Sequence, residues 1–425
     1  VPLQYKATRS LTNSQGTANT IERVYNASGR VVAERTNDEP WACTTYDARG
    51  RITTKSFPAI GTRPARTVTY NYAVGGDPLT KRVIDSSGAI TTTIDLLNRT
   101  TSYTDANAVT TATSYDRAGR VTTSHTTVQG ATSTLTRHWD KANKLTRLDL
   151  DGITVATTTY NADILAAVAY GNGADLAISH NDTGRVEALD WTTGGSTVTS
   201  AVTRSREQRI INETITDTAT PGTDYEYAYT YDSIGRLVAA DVPFHQLAYE
   251  VSASNECGNP YAGLNSNRTA FADSYNGAPA VVTRYCYDAA DRLLSTTGAT
   301  ALTVAYDTYG NTTQIGTDTL EYDSTRRHVA TTTASGGAVT YTRDIDNRVM
   351  ARSTQINSDP AQVTRYGFTS DEPGPNFVLD AAGNLRQRIV KLPGGVILTK
   401  NYTVQGAAAA NWSYPNVHGD ILFTT

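Results

Sequence analysis

The chain has 425 residues, a formal net charge of −4, 39% hydrophobic residues and 18% charged ones. It carries no basic run of the kind that holds nucleic acid or an anionic membrane, and no stretch nears the roughly 18 apolar residues of a membrane helix. The length suits two or three ordinary domains or one repeat array. Both the hydrophobic and the charged shares fall below the usual figures of about 45–50% and about 25%. Threonine fills the difference, at about one residue in six, and 25 Tyr stand against 6 Phe and 4 Trp. Thr, Val and Tyr favour a pleated, half-wet surface, so the expectation is a β protein with wet faces rather than a thick apolar core. The opening VPLQYKATRSLTNSQG has no signal-peptide apolar region and no initiating Met. With Met350 as its one Met, the chain reads as a piece of a longer precursor, and the missing signal says nothing about export.

Taken along the chain, one seven-residue unit recurs. It begins at Tyr25 (YNASGRV), Tyr46 (YDARGRI), Ile84 (IDSSGAI), Ile94 (IDLLNRT), Tyr115 (YDRAGRV), Trp139 (WDKANKL) and His180 (HNDTGRV). It continues at Tyr231 (YDSIGRL), Tyr287 (YDAADRL), Tyr306 (YDTYGNT), Tyr322 (YDSTRRH), Arg343 (RDIDNRV) and Leu379 (LDAAGNL). Spacings cluster at about 19–24 residues, the period range of stacked arrays. Two longer gaps, after His180 and after Tyr231, are expected to hold decayed copies or insertions. Between the units lie short β-branched runs such as Thr91–Ile94 and Ala156–Tyr160, which read as strands. YNADILAAVAY, Tyr160–Tyr170, comes nearest to a helical period but sits in the repeat phase and reads as a hairpin. The fold class is all-β.

The fifth position carries the local physics. It is Gly29, Gly50, Gly119, Gly184, Gly235, Gly310 or Gly383, or else Asn98, Asn143, Asn347 or Asp291, the residue types that tolerate a left-handed backbone. Asp or Asn at position two, with such a residue three places on, fits a type I turn followed by a G1 bulge. Position one then lies opposite position seven, and position two opposite position six. Tyr115 faces Val121, and Asp116 faces Arg120 on the other side of the sheet. Each such pair contributes about 0.2–1 kcal/mol. The strongest copies place Tyr46, Asp47, Gly50 and Arg51 in these structural roles, and likewise Tyr115, Asp116, Gly119 and Arg120. Tyr231, Asp232, Gly235 and Arg236 follow, then Tyr287, Asp288, Asp291 and Arg292, then Tyr306, Asp307 and Gly310. Arg326, at the fifth position of its unit, breaks the rule, so that turn is expected to differ or to be strained.

Few residues invite a chemical reading. Cys257 and Cys286 bracket a long gap; they either form a disulfide closing a loop of about 30 residues, worth about 3 kcal/mol, or remain two buried thiols. Cys43 is left over and is expected to pack. The six histidines, His125, His138, His180, His245, His328 and His418, are scattered without zinc spacing. His418-Gly419-Asp420 is the most suggestive cluster. Paired carboxylates for glycoside chemistry could be drawn from many Asp residues, but most occupy the turn position where an Arg accounts for them. Gly75-Gly76, Gly194-Gly195, Gly336-Gly337 and Gly394-Gly395 lack a following helix or Lys-Ser/Thr, so they read as hairpin turns rather than phosphate loops. Asn-x-Ser/Thr triplets begin at Asn26, Asn98, Asn181, Asn212, Asn267, Asn311, Asn401 and Asn411, as a Thr-rich chain produces by chance. The Tyr face of the sheet either stacks sugars or packs against the apolar residue opposite. No metal, cofactor or catalytic group emerges.

A dozen such units in phase resemble the YD-repeat, or Rhs-repeat, proteins, which include bacterial Rhs polymorphic toxins, toxin-complex C components and teneurins. The resemblance covers almost the whole chain. It implies a β-hairpin ribbon spiralling into a hollow shell around a C-terminal cargo polypeptide. The last part resembles Rhs proteins more closely, through Arg365–Thr369 (RYGFT), Phe377–Asn384 (FVLDAAGN), Leu392–Val396 (LPGGV) and Trp412–Thr425 (WSYPNVHGDILFTT). The last of these takes in His418-Gly419-Asp420, and the resemblance implies that this cluster serves turn and packing. Residues 1–350 are thus expected to be repeat shell, and 351–425 the C-terminal part of the same shell. In the family a self-cleavage segment and a variable toxin follow; neither motif occurs in this sequence. The expectation is a non-enzymatic shell, secreted or on the surface of a bacterium, whose partners are its own toxin cargo or the remaining shell. The alternative is a cell-surface adhesion protein that binds glycans through the same ribbon.

Overall fold

A computed structural model describes residues 5–12, 18–253, 257–402 and 408–425. They form 37 short strands and a single 3-10 turn at Pro393–Gly395. Strands consecutive in the chain pair antiparallel: Tyr5–Thr12 with Ala18–Tyr25, that strand with Val31–Thr36, and onward. The β-branched runs supply strands of alternating burial, as in Leu302–Tyr306 and Asp318–Tyr322.

The repeat units are the hairpin turns. Position one pairs with position seven at Tyr25 and Val31, Tyr46 and Ile52, Tyr231 and Leu237, Tyr287 and Leu293, and Tyr306 and Thr312. A register shift beside each of these pairs marks the bulge. In the Tyr115 unit, Asp116 N–H donates to the Arg120 carbonyl at 3.0 Å and Gly119 N–H to the Asp116 carbonyl at 3.1 Å. The fifth residue is left-handed throughout: Gly50 at φ 80°, Gly119 at 82°, Gly235 at 87°, Asn98 at 62° and Asp291 at 60°. Arg326 joins them at φ 63°. Its turn keeps both backbone bonds at 2.9 Å, so the geometry is unchanged and the strain is that of a long side chain held left-handed, about 1–2 kcal/mol.

Three features differ from the sequence reading. The unit at Ile84 is a two-residue hairpin, with Asp85 paired to Gly88 and Ile84 to Ala89. Further copies are present: one fills the gap after His180, as expected for a decayed copy, and others lie where none was assigned. Arg204 pairs with Ile210 around a left-handed Gln208 (φ 66°), and Thr104 with Thr110 around Ala108 (φ 61°). Ala169 and Asp175 pair around Gly173. The third difference is the core, described below. Tyr160–Tyr170 is a hairpin with Asn161 paired to Ile164, and Gly194-Gly195 closes the Thr193–Ser196 hairpin.

The chain divides into two compact units. The first comprises residues 1–115, 124–133 and 304–388; the second, residues 116–123, 134–303 and 389–425. In the second, strands between Leu135 and Trp191 bury one apolar cluster with Val390, Leu392, Val396, Leu398, Trp412 and Tyr414. Trp191 lies 5.2 Å from Tyr414 between ring centroids, in an edge-on arrangement. This dry core was not expected from the overall composition, which conceals a local concentration of Leu, Val and aromatic residues. The first unit buries two smaller clusters, Val109, Val128, Phe377 and Leu379 in one, and Ile90, Tyr103 and Phe368 in the other.

Candidate functional site

The repeat turns are locked internally by position two. Asp47 Oδ1 accepts the N–H of Arg49 and of Arg51, each at 2.9 Å, while Oδ2 accepts Arg51 Nε at 2.7 Å. Asp116 with Arg120, Asp232 with Arg236 and Asp288 with Arg292 repeat the pattern. Asp307 does the same with Asn311 in place of Arg. The backbone N–H of the position-six arginine, joined by its guanidinium, holds Asp47, Asp116 and Asp232 below the usual carboxylate range.

In several copies position one ties the turn to an earlier one. Tyr46 Oη–H donates to the Val31 carbonyl at 2.7 Å, Tyr115 to Thr100 at 2.7 Å, Tyr231 to Ile210 at 2.9 Å and Tyr322 to Thr312 at 2.9 Å. Every one of those acceptors is position seven of an earlier repeat turn. At three copies where position one is not Tyr, another donor makes the same bond: Trp139 Nε1 to Val121 at 2.8 Å, Arg343 Nε to His328 at 2.7 Å, and Arg204 Nη2 to Val186 at 3.0 Å. In four copies the position-six cation of the same earlier turn covers the aromatic ring. Arg30 lies over Tyr46, Arg99 over Tyr115, Arg120 over Trp139 and Arg209 over Tyr231, at 4.5–5.9 Å from the centroids. A Cβ at Gly50 would overlap the Arg30 guanidinium, and one at Gly235 that of Arg209. Glycine there serves the positive φ and the close approach together. Ring and hydroxyl of these repeat tyrosines are both engaged within the protein. The sequence showed the hairpin register but not this stitch, which joins residues 10 to 21 places apart.

Sequence reasoning also missed the seats of the C-terminal residues. In the first unit Asp105 is 2% exposed. Its Oδ1 accepts the N–H of Asn107 and Val109, and its Oδ2 that of Phe368 at 2.8 Å. Burial pushes this carboxyl up to about 6 against the pull of those donors. Asn107 Nδ2 donates to the carbonyls of Met350 and Tyr366, both at 2.8 Å. Arg348, itself buried, bonds Asp344 at 2.8 Å and the Tyr103 hydroxyl at 2.6 Å, and lies 4.1 Å from the Phe368 ring centroid. The signal was present: Asp105 occupies position two of a turn whose left-handed residue is Ala108.

In the second unit Tyr170 Oη–H donates to the Pro393 carbonyl at 2.6 Å and Trp191 Nε1 to Pro415 at 3.0 Å. Here Ser200, Glu213 and His418 come together. Ser200 Oγ bonds Glu213 Oε1 at 2.8 Å, and His418 Nε2 approaches Glu213 Oε2 at 3.3 Å. Nucleophilic catalysis needs the imidazole against the hydroxyl. The carboxylate sits between them, and Ser200 is fully buried. The trio fastens Val417, whose N–H reaches Ser200 Oγ at 3.2 Å.

Cys257 and Cys286 form a disulfide, with Cα atoms 5.4 Å apart, so the two-thiol alternative does not hold. Cys43 is exposed rather than packed. The bridge holds an insertion against the Tyr287 turn: Asn259 Nδ2 and Asn265 Nδ2 both donate to the Asp291 carboxylate at 2.9 Å. Asp291 thereby uses its side chain where the glycine copies have none. Three other histidines make local bonds, His138 with Asp149 at 2.7 Å, His245 with Asp273 at 2.8 Å and His328 with the Ala330 carbonyl at 2.9 Å. Among the described residues no group of three or more His, Cys, Asp or Glu could hold a metal ion.

Fold and site together define an all-β protein built from one antiparallel series of interlocked Asp-x-x-Gly-Arg hairpin turns. No family model matches the sequence, and no curated protein matches it. Solved structures do share the fold. A Photorhabdus luminescens Tc holotoxin pore, with a point substitution in TccC3, aligns over 98% of this chain and 25% of its own at TM-score 0.55 and 14% identity. A complex of TcdB2-TccC3 with Cdc42 aligns over 98% and 26% at TM-score 0.57 and 14% identity. TcdB2-TccC3 without its hypervariable C-terminal region gives 98%, 26%, 0.54 and 14%. The chain spans about a quarter of the length of the chains it matches.

Proposed function

We propose that this chain is a non-catalytic wall segment of a shell that encloses a toxin polypeptide and helps deliver it from a bacterium. The observation that carries the reading is the alignment of 98% of the chain with structures containing TccC3, together with the Rhs-type repeats that resemble a shell-forming family. The stitch supports it physically. A wall must resist local opening although much of its sheet faces water, and many turns here are bonded both within themselves and to an earlier turn. The Ser200–Glu213–His418 order argues for a structural use of the groups that most resemble a catalytic set.

The test uses the natural gene product. A polypeptide encoded after residue 425 should co-purify with the wall and resist protease until the wall is denatured. Digestion of that polypeptide at the rate of its free form refutes the shell.

A further inference from the structure

We infer that the cavity beside the Tyr322 turn, within the first unit, binds a small carboxylate. The cavity, about 260 Å³, is lined by Arg35, Glu39, Phe57, Pro58, Ser324 and Arg326 among others. Its volume lies below the roughly 300–1,000 Å³ of pockets for drug-sized ligands, so the occupant is one small ring or one branched chain. Two independent features mark the place. Arg326 is a long side chain held left-handed where most other turns carry Gly, Asn or Asp, and such conformers persist where a function or a surrounding structure requires them. Ser324 is 9% exposed, and its Oγ has no hydrogen-bond partner among the described residues.

The polar balance of the cavity gives the ligand its charge. Arg326 gives one Nη2–H to Glu39 at 3.0 Å and lies 3.7 Å from the Tyr309 ring centroid. Arg35 gives Nε–H to Glu22 at 2.5 Å and lies 4.7 Å from the Trp41 centroid. Each guanidinium has five N–H donors and is pre-oriented by a ring. The cavity's own carboxylates are committed, Glu39 to Arg326 and Glu34 to Arg23 Nε at 2.5 Å. Donors exceed acceptors, and the missing partner is a planar pair of oxygens, which a guanidinium fork matches. A phosphate dianion would set a second negative charge near Glu34 and Glu39; a carboxylate sets one. Phe57, Pro58, Pro40 and Ile60 offer apolar surface for the body.

A uronic acid of a glycan and the carboxyl terminus of a peptide share this chemistry. Saturation-transfer NMR and calorimetry on the full chain would compare glucuronate and N-acetyl-leucine with their neutral counterparts, glucose and N-acetyl-leucinamide. At least one acid should bind, about tenfold or more tighter than its neutral counterpart, as expected for hydrogen bonds to a charged group. Glucuronate alone assigns a sugar source, and N-acetyl-leucine alone a peptide. Arg326→Gly installs the residue that other turns use, so the fold is kept while acid binding falls about tenfold. Ser324→Ala should weaken binding as well. The site is overturned if neither acid binds, if the neutral compounds bind equally, or if Arg326→Gly binds as the parent does. Any of these leaves the shell reading untouched.

Discussion

Arg51 and Arg348 hold the same place in the repeat and should differ severalfold in their worth. Arg51 and Asp47 are 42% and 24% exposed at their side chains, whereas Arg348 and Asp344 are 5% and 1% exposed. Both pairs lie in the first unit. Arg51→Met breaks a solvated pair, for which about 0–1 kcal/mol is typical. Arg348→Met leaves the Asp344 carboxylate buried without its cation and removes the bonds to Tyr103 and the Ser370 carbonyl. Losing one member of a buried pair costs about 3–5 kcal/mol. Urea denaturation followed by tyrosine fluorescence reads the difference as a midpoint shift at constant slope. The Asp344→Asn, Arg348→Met double variant should recover part of the loss, because no buried charge is stranded. Equal losses at the two arginines, or a double variant no better than Arg348→Met, would refute the reasoning.

Other outcomes follow from the same geometry. Asp105 has its folded pKa raised to about 6 by burial, above an unfolded value of about 3.9. Its contribution to stability is therefore complete below about pH 4 and is lost as pH rises through 6, on the order of 3 kcal/mol. Thermal melts from pH 4 to 7 should show this slope in the parent and lose it in Asp105→Asn; identical slopes would contradict it. Ala108→Gly relieves a left-handed alanine and should raise stability by about 1 kcal/mol, checked by the denaturation midpoint. Opening the Cys257–Cys286 bridge, 29 residues apart, should cost about 3–4 kcal/mol, read by comparing oxidised protein with the Cys257→Ser, Cys286→Ser variant. Tyr231→Phe should lose about 1 kcal/mol with its bond to Ile210, while Tyr225→Phe, at an exposed residue, should be nearly neutral by the same midpoint measurement.

Local geometry was the most legible part of the sequence. Position two as Asp and position five as Gly fix a turn through bonds among neighbours, and the register at Tyr46, Tyr231 and Tyr287 follows from them. The gap after His180 announced a decayed copy without locating it, and the copy at Ala108 was hidden, because Gln208 and Ala108 have no preference for a left-handed conformation that tertiary packing imposes. Ile84 misled for the opposite reason: IDSSGAI has the letters of the unit, yet Gly88 supports a shorter hairpin that leaves strands of equal use. The seats at Asp105 and Glu213 join residues more than 200 apart. No periodicity in the chain reports a contact at that distance.

The bond from one turn to an earlier one asks little of the residue that makes it. The acceptor is a main-chain carbonyl, present whatever the side chain, and the donor has been a phenol, an indole and a guanidinium in turn. Letters at the first position can therefore drift while the connection survives. In this chain the fold is shared over 98% of its length with solved structures only 14% identical to it, and no family model matches. What the stitch requires is a pattern of donors and reach, not the particular residues that supply them.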